Sequence, residues 1–190
     1  MTPRPLSEPA IFPTTSWLAG RSRAARWGSL LIGTALLALS AHIAVPFWPV
    51  PMSMQTLVVL LIGFAMGARL GGATVLAYFV EGAIGLPVFH GGGGIAYFAG
   101  PTGGYLIGFL PAVMLVGALA ERGATRSLLR TAAAALLGDV LIFACGLTWL
   151  AIIVGPAKSL AFGLMPFLPA EAVKLALAIA IAPLLRRGRG

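Results

Sequence analysis

Between residues 27 and 185 this chain is a succession of long apolar runs separated by short clusters of arginine. Crossing the hydrocarbon core of a bilayer takes about 20 apolar residues in a helix. Backbone polar groups in lipid must be satisfied within the segment, which a helix does. Charged residues make up 9% of the chain, against about 25% in an ordinary soluble domain. The pattern predicts an all-α integral membrane protein with six transmembrane helices, over 27–45, 54–68, 70–89, 103–119, 129–154 and 169–185. The second is short enough to begin within the interface.

The basic residues orient these helices. Arg4, Arg21, Arg23 and Arg26 precede the first helix, and Arg69 lies between the second and third. Arg122, Arg126 and Arg130 lie between the fourth and fifth, and Arg186, Arg187 and Arg189 follow the sixth. Six helices put all of these on one side, leaving only Lys158 and Lys174 on or towards the other. The excess of positive charge on cytoplasmic loops then predicts that both termini are cytoplasmic. The net charge of +8 therefore reads as a topology signal rather than as an affinity for nucleic acid. Residues 1–25, with Pro3, Pro5, Pro9 and Pro13, read as a cytoplasmic tail without a cleavable signal. Residues 26–190 read as one membrane domain. The single cysteine, Cys145, allows no internal disulfide.

Three segments face outward in this topology: 46–53, the glycine-rich stretch that follows the third helix, and 155–167. The second belongs to the stretch GLPVFHGGGGIAYFAGPTGGYLIGF, residues 85–109. Its four consecutive glycines, Gly91 to Gly94, with Gly92 and Gly93 at the centre, permit sharp turns and close backbone approach. Pro87 and Pro101 fix backbone angles on either side. Either this is a plain extramembrane loop or a structured lid over a pocket. The rings of Phe89, Tyr97, Phe98 and Tyr105 favour the lid.

Charges in apolar spans cost a few kcal/mol each on insertion scales, about 3 for an acid or a lysine at the helix centre. Four stand out: Glu81, Asp139, Glu171 and Lys174. Glu171 and Lys174, three apart, share one helix face. Pro169 suits the first turn of that helix, and Glu171 sits where the helix dipole favours a negative charge. Two readings stand: an ion pair with Lys174 snorkelling outward, or an outward site where Lys174 meets a ligand anion and Glu171 accepts a ligand N–H. Glu81 and Asp139 read as protonated, hydrogen-bonded acids or as parts of a relay. Gln55, at the outer start of the second helix, is able both to donate and to accept. His42 and His90 have no partners at metal-ligand spacing. Small residues four apart on the first helix, Thr34 and Ala38 among them, permit close helix approach.

No P-loop, zinc-protease or nucleophile-elbow motif is present, so the chain carries no ATPase of its own and no cofactor is expected. A small outward site with aromatic walls and few polar groups suits a small, partly apolar organic molecule.

The glycine-rich stretch resembles the signature of the BioY family, biotin-specific substrate-binding S components of energy-coupling factor (ECF) transporters. VPFWPVPMSMQTLVVLLIGFAMGARLG is similar to the family's first outer loop and second helix. CGLTWLA and FGLMPFLPAEAVKLALA are similar to its fifth and sixth helices. The resemblance implies biotin bound from outside and transport rather than catalysis. It also implies location in the bacterial cytoplasmic membrane, and as partners a transmembrane coupling protein with two ATPase subunits. It further implies that Glu171 and Lys174 contact biotin, Glu171 standing where the family more often has Asp. Thr34 and Ala38 match the family's coupling-protein contact, with Thr in place of its first Ala. Gln55 is expected to add a polar contact, and Tyr97, Tyr105, Gly92 and Gly93 to form walls or lid. The alternatives are an S component for another vitamin, such as thiamine or riboflavin, a membrane-embedded enzyme using Glu81 and Asp139, or a structural subunit without a ligand.

Overall fold

The structure, a computed structural model, describes residues 22–187. Most of the tail predicted over 1–25, and Arg189, lie outside the described residues. In chain order come α1 (Arg23–His42), β1 (Ala44–Val45), β2 (Met52–Ser53), α2 (Gln55–Ala83), a 3-10 turn (Ile95–Ala99), α3 (Gly103–Glu121), a second 3-10 turn (Ala124–Arg126), α4 (Leu128–Val154), α5 (Pro156–Gly163) and α6 (Leu168–Arg187). Five of these helices, α1, α2, α3, α4 and α6, are long and apolar enough to cross a membrane. The molecule is thus an all-α membrane protein with several spanning helices.

The second and third helices of the sequence reading are the two arms of α2. Gly67 has φ 78° and ψ −179°, outside helical values. The arms fold back on each other there: Gln55 Nε2 donates to the Tyr78 hydroxyl at 2.9 Å. Along a straight helix those 23 residues would span about 34 Å. Gly67 is required by its positive φ, and a Cβ there would also displace the Glu121 carboxylate. That carboxylate, at the end of α3, accepts the Ala68 N–H at 3.1 Å. It thereby satisfies an orphan donor and the positive dipole end of the second arm.

Other boundaries moved for local reasons. Ser22 caps α1, its Oγ accepting the Ala25 N–H at 3.3 Å. The helix stops at His42 rather than residue 45, because Ala44 and Val45 pair antiparallel with Ser53 and Met52. This two-rung ladder closes the proline-rich segment 46–51 into a hairpin. The second arm of α2 ends at Ala83 rather than residue 89, and Gly85 beyond it has φ 100°. Segment 155–167, read as an outer loop, contains α5, with Pro156 at its start where a missing N–H costs nothing.

Part of that segment is buried against the bundle. Phe167 meets the Phe143 ring at 6.0 Å, eleven residues before the end of α4 at Val154. This puts the head of α6 about 16 Å below the end of α4. Ser159 and Gly163 are buried. The Ser159 hydroxyl donates to Leu147 O at 2.8 Å, and the Tyr105 hydroxyl to Gly163 O at 2.9 Å.

α3 packs between α2 and α4. At one end of the bundle the core is aromatic, with Tyr78, Phe89, Tyr105, Phe109, Phe143 and Phe167. At the other it is built from Leu60, Phe64, Val116 and the small Ala134, Ala135, Ala178 and Ala182, which let helix backbones approach. The head of α6 lies in the aromatic end.

Candidate functional site

The sixth helix begins with a charge pair drawn fully into the protein. Glu171 is 4% exposed and Lys174 5%. Their spacing of three places both on the face of α6 that meets α2. Lys174 Nζ donates to Glu171 Oε1 at 2.5 Å, to Ser53 O at 2.6 Å and to Thr56 Oγ1 at 3.2 Å. An ammonium has three N–H donors, so all three are used inside the protein and none snorkels. Thr56 Oγ1 in turn donates to Glu171 Oε2 at 2.9 Å. A pair of ions removed from water is tolerated only when its remaining hydrogen-bonding capacity is met, and here Ser53 and Thr56 meet it.

The hairpin and α2 deliver those partners. β2 ends at Ser53, whose carbonyl faces Lys174 and whose hydroxyl donates to Gln55 Oε1 at 3.0 Å. The amide end of Gln55 goes to Tyr78, and Tyr78 donates to Val88 O at 2.8 Å. One chain of bonds therefore runs from the glycine-rich segment through Tyr78, Gln55 and Ser53 to Lys174.

Beside this cluster is a cavity of about 30 Å³, roughly the share of one water in the liquid. It is lined by Val50, Pro51, Ser53, Gln55, Thr56, Thr102, Tyr105, Phe109, Phe143, Phe167, Glu171 and Lys174. Ligand pockets usually measure about 300–1,000 Å³, so an organic ligand enters only if part of this wall moves. Two larger grooves, about 380 and 460 Å³, hold no buried charge: one runs along Ile107, Trp149 and Ile152, the other along Trp48, Lys158 and Phe162. Of these three, the cavity beside the Glu171–Lys174 pair is the one that combines buried charges with aromatic walls.

The structure brings Glu171, Lys174, Gln55 and Tyr105 together there. Tyr105 stands edge-on to Phe143 at 5.6 Å and stacks with Phe167 at 6.5 Å. Gly92, Gly93 and Tyr97 are not among the lining residues. Gly92 exchanges backbone bonds with Phe89 at 3.0 and 3.2 Å, and a Cβ at Gly93 would strike the Leu86 carbonyl. The Tyr97 hydroxyl donates to His90 O at 2.9 Å, and its ring lies 4.9 Å from Phe89. Burial raises the Tyr97 pKa, against an opposing interaction with Thr102, so it is a neutral phenol at physiological pH. Tyr97 thus reaches the cavity only through Thr102.

Thr34, singled out for a partner surface, is 4% exposed. Its hydroxyl donates to Leu31 O at 3.1 Å, while Ala38 is half-buried. Asp139 is buried and faces Glu171 and Lys174. Glu81 is half-buried near the end of α2, with Tyr78 as an electrostatic neighbour.

Sequence reasoning missed Thr56, Ser53, Tyr78, Phe109, Phe143 and Phe167. Thr56 and Tyr78 carried a signal, since a hydroxyl in an apolar helix needs a partner. Ser53 acts mainly through its backbone carbonyl, and the phenylalanines through three-dimensional position; neither is readable from spacing.

A profile described as the BioY family matches residues 15–190. A protein of Pyrococcus horikoshii named a probable biotin transporter BioY is 41% identical over 149 residues, 78% of this chain and 88% of the relative. A biotin transporter BioY of Thermotoga maritima is 36% identical over 158 residues, 82% of this chain and 92% of the relative. Among solved structures, the S-component for biotin from an ECF-type ABC transporter superposes with a TM-score of 0.78 at 28% identity, covering 88% of this chain and 94% of that one.

Proposed function

The chain belongs to the BioY family, and from that premise we propose that it binds biotin at the head of α6 and takes it up as the S component of an ECF-type transporter. It works in the cytoplasmic membrane as a transport component, not an enzyme. The observation that carries the biotin site is the fully bonded Glu171–Lys174 pair beside an aromatic-walled cavity. Biotin has a carboxylate and a ureido carbonyl, either able to take a Lys174 donor now spent on Ser53 O. Its ureido N–H groups suit Glu171 Oε2 and Gln55 Oε1. Its bicyclic body suits the walls of Tyr105, Phe109, Phe143 and Phe167. Each exchange breaks a bond already made, so the contacts to biotin have to outweigh those released at Ser53 and Thr56.

Entry needs a movable wall. Segment 46–51, with Val50 and Pro51 over the cavity, hangs from a two-rung ladder and is the part that opens. The finer topology follows the sequence argument. The two arms of α2 count as separate crossings, which makes six, with both termini cytoplasmic and the glycine-rich segment outside. Gly92, Gly93 and Tyr97 then act on the site by holding Phe89 and Tyr78 in place. The partners are a transmembrane coupling protein and two ATPase subunits, met along α1. Of the two residues assigned to that contact, Ala38 is reachable on the surface, and Thr34 needs a small helix shift.

The test is a competition assay on detergent-purified protein, with labelled biotin challenged by unlabelled biotin, thiamine and riboflavin. Displacement by biotin alone supports the reading. Displacement by another vitamin, or no biotin binding by a folded sample, overturns it.

A further inference from the structure

One buried polar atom has no place in the network so far. Asp139 in α4 is 7% exposed, and its Oδ1 takes no hydrogen bond from any donor among the described residues. Buried acceptors are nearly always paired, so an orphan calls for an explanation. The charged groups acting on Asp139 are Glu171 and Lys174 of α6, and its carboxyl is near enough to that of Glu171 for a hydrogen bond between them. Among the described residues no other charged group acts on it from the elements packed against α4, and Arg126 of the second 3-10 turn is exposed. α2 brings neutral Gln55 and Thr56 to the cluster, Tyr105 of α3 spends its hydroxyl on Gly163 O, and Lys158 of α5 is exposed.

Two ionised carboxylates offer each other acceptors and no donor. With Lys174 they would also leave a net charge of −1 inside the bundle, where an uncompensated charge is strongly disfavoured. A single proton removes both difficulties: it supplies the missing donor and makes the trio neutral. Glu171 already accepts from Lys174 and Thr56 on both oxygens, so it remains the carboxylate, and the proton belongs on Asp139.

We propose that Asp139 carries a proton and donates it to Glu171, as a positioning residue that aims the Glu171 carboxylate and keeps the biotin site electrically neutral. This rests on the biotin reading of the site. Loss of that proton at higher pH leaves the site at −1, which repels biotin's carboxylate and frees Glu171 to move.

The test is biotin affinity against pH, by calorimetry, for wild type, Asp139→Asn and Asp139→Ala, each checked for folding by thermal melting. An infrared spectrum of the ligand-free protein accompanies it. Asparagine mimics the protonated acid by keeping an N–H donor without a charge. The expected result has Asp139→Asn within about threefold of wild type at neutral pH and flat above it. Wild type weakens by up to about tenfold per pH unit once the proton is lost. Asp139→Ala binds weakly throughout. The infrared spectrum of wild type shows a protonated-acid carbonyl band that Asp139→Asn lacks. Asp139→Asn as weak as Asp139→Ala, or a wild-type pH slope that persists in Asp139→Asn, overturns the proposal, as does absence of that band. If folded wild type binds no biotin at any pH, the biotin reading fails, and the infrared band alone decides where the proton is.

Discussion

At the head of α6, two opposite charges are buried and every donor of Lys174 is spent on a named oxygen, of Glu171, Ser53 and Thr56. In the glycine-rich segment 85–100 every bond has a backbone partner: Phe89 pairs with Gly92, Gly94 N–H donates to Gly82 O at 2.7 Å, and the side-chain bonds end on backbone carbonyls. Both regions serve the same end of the molecule. The first presents chemistry to the cavity. The second presents almost none, and instead seats Phe89 against Tyr78 at 5.3 Å and offers Val88 O to the Tyr78 hydroxyl. A concentration of unusual residues therefore marks two different things. Charges buried in apolar helices mark the candidate site, and clustered glycines mark a backbone that turns through positive φ at Gly91, Gly92 and Gly94, with one close approach at Gly93.

Four substitutions break or sharpen this contrast. Glu171→Gln strikes the first region hardest, because it leaves Lys174 buried without its counter-ion. Losing one member of a buried pair costs about 3–5 kcal/mol, and the expected outcome is a large fall in melting temperature with biotin binding lost. Gly93→Ala strikes the second region, where the new Cβ meets the Leu86 carbonyl. A backbone shift of this kind costs about 2–3 kcal/mol. Melting should show it clearly, while biotin affinity in the protein that remains folded changes less than in Glu171→Gln. Equal loss of affinity in both would erase the distinction.

Tyr78→Phe cuts the link between the regions. It leaves Gln55 Nε2 and Val88 O without their partner, at about 1–3 kcal/mol for a buried unsatisfied group. Reduced affinity is expected here too, through a loosened Gln55, and titration calorimetry reads it. Tyr97→Phe is the mildest change. It removes one bond to His90 O, worth about 1 kcal/mol, and biotin affinity should stay within about threefold of wild type. A larger effect would make Tyr97 a direct contact.

Much of this was legible in the sequence. Hydropathy revealed the apolar helices, and the ion pair stood out because nothing apolar explains Glu171 and Lys174 three residues apart. What the pattern did not carry was depth. The segment 155–167 is proline-marked, like a surface loop, yet Ser159 and Gly163 of α5 are buried and Phe167 lies beside Phe143. Snorkelling by Lys174 is a sound expectation for a helix end, and it fails because Glu171, Ser53 and Thr56 take all three of its donors within the protein. The turn between the arms of α2 was sought at Arg69, the charged residue, but occurs two residues earlier at Gly67. There a positive φ and the Glu121 carboxylate decide the geometry, and Glu121 is distant in sequence. Backbone partners such as Ser53 O have no signature at all, since every residue has a carbonyl.

The most direct measurement is titration calorimetry of biotin against purified wild type and Lys174→Ala side by side, with melting curves to confirm folding. The account predicts tight wild-type binding and at least about a hundredfold loss in the variant, as expected when a buried charged contact of about 3 kcal/mol is removed. A folded variant that binds biotin as tightly as wild type would contradict it, and would return the Glu171–Lys174 pair to a purely structural role.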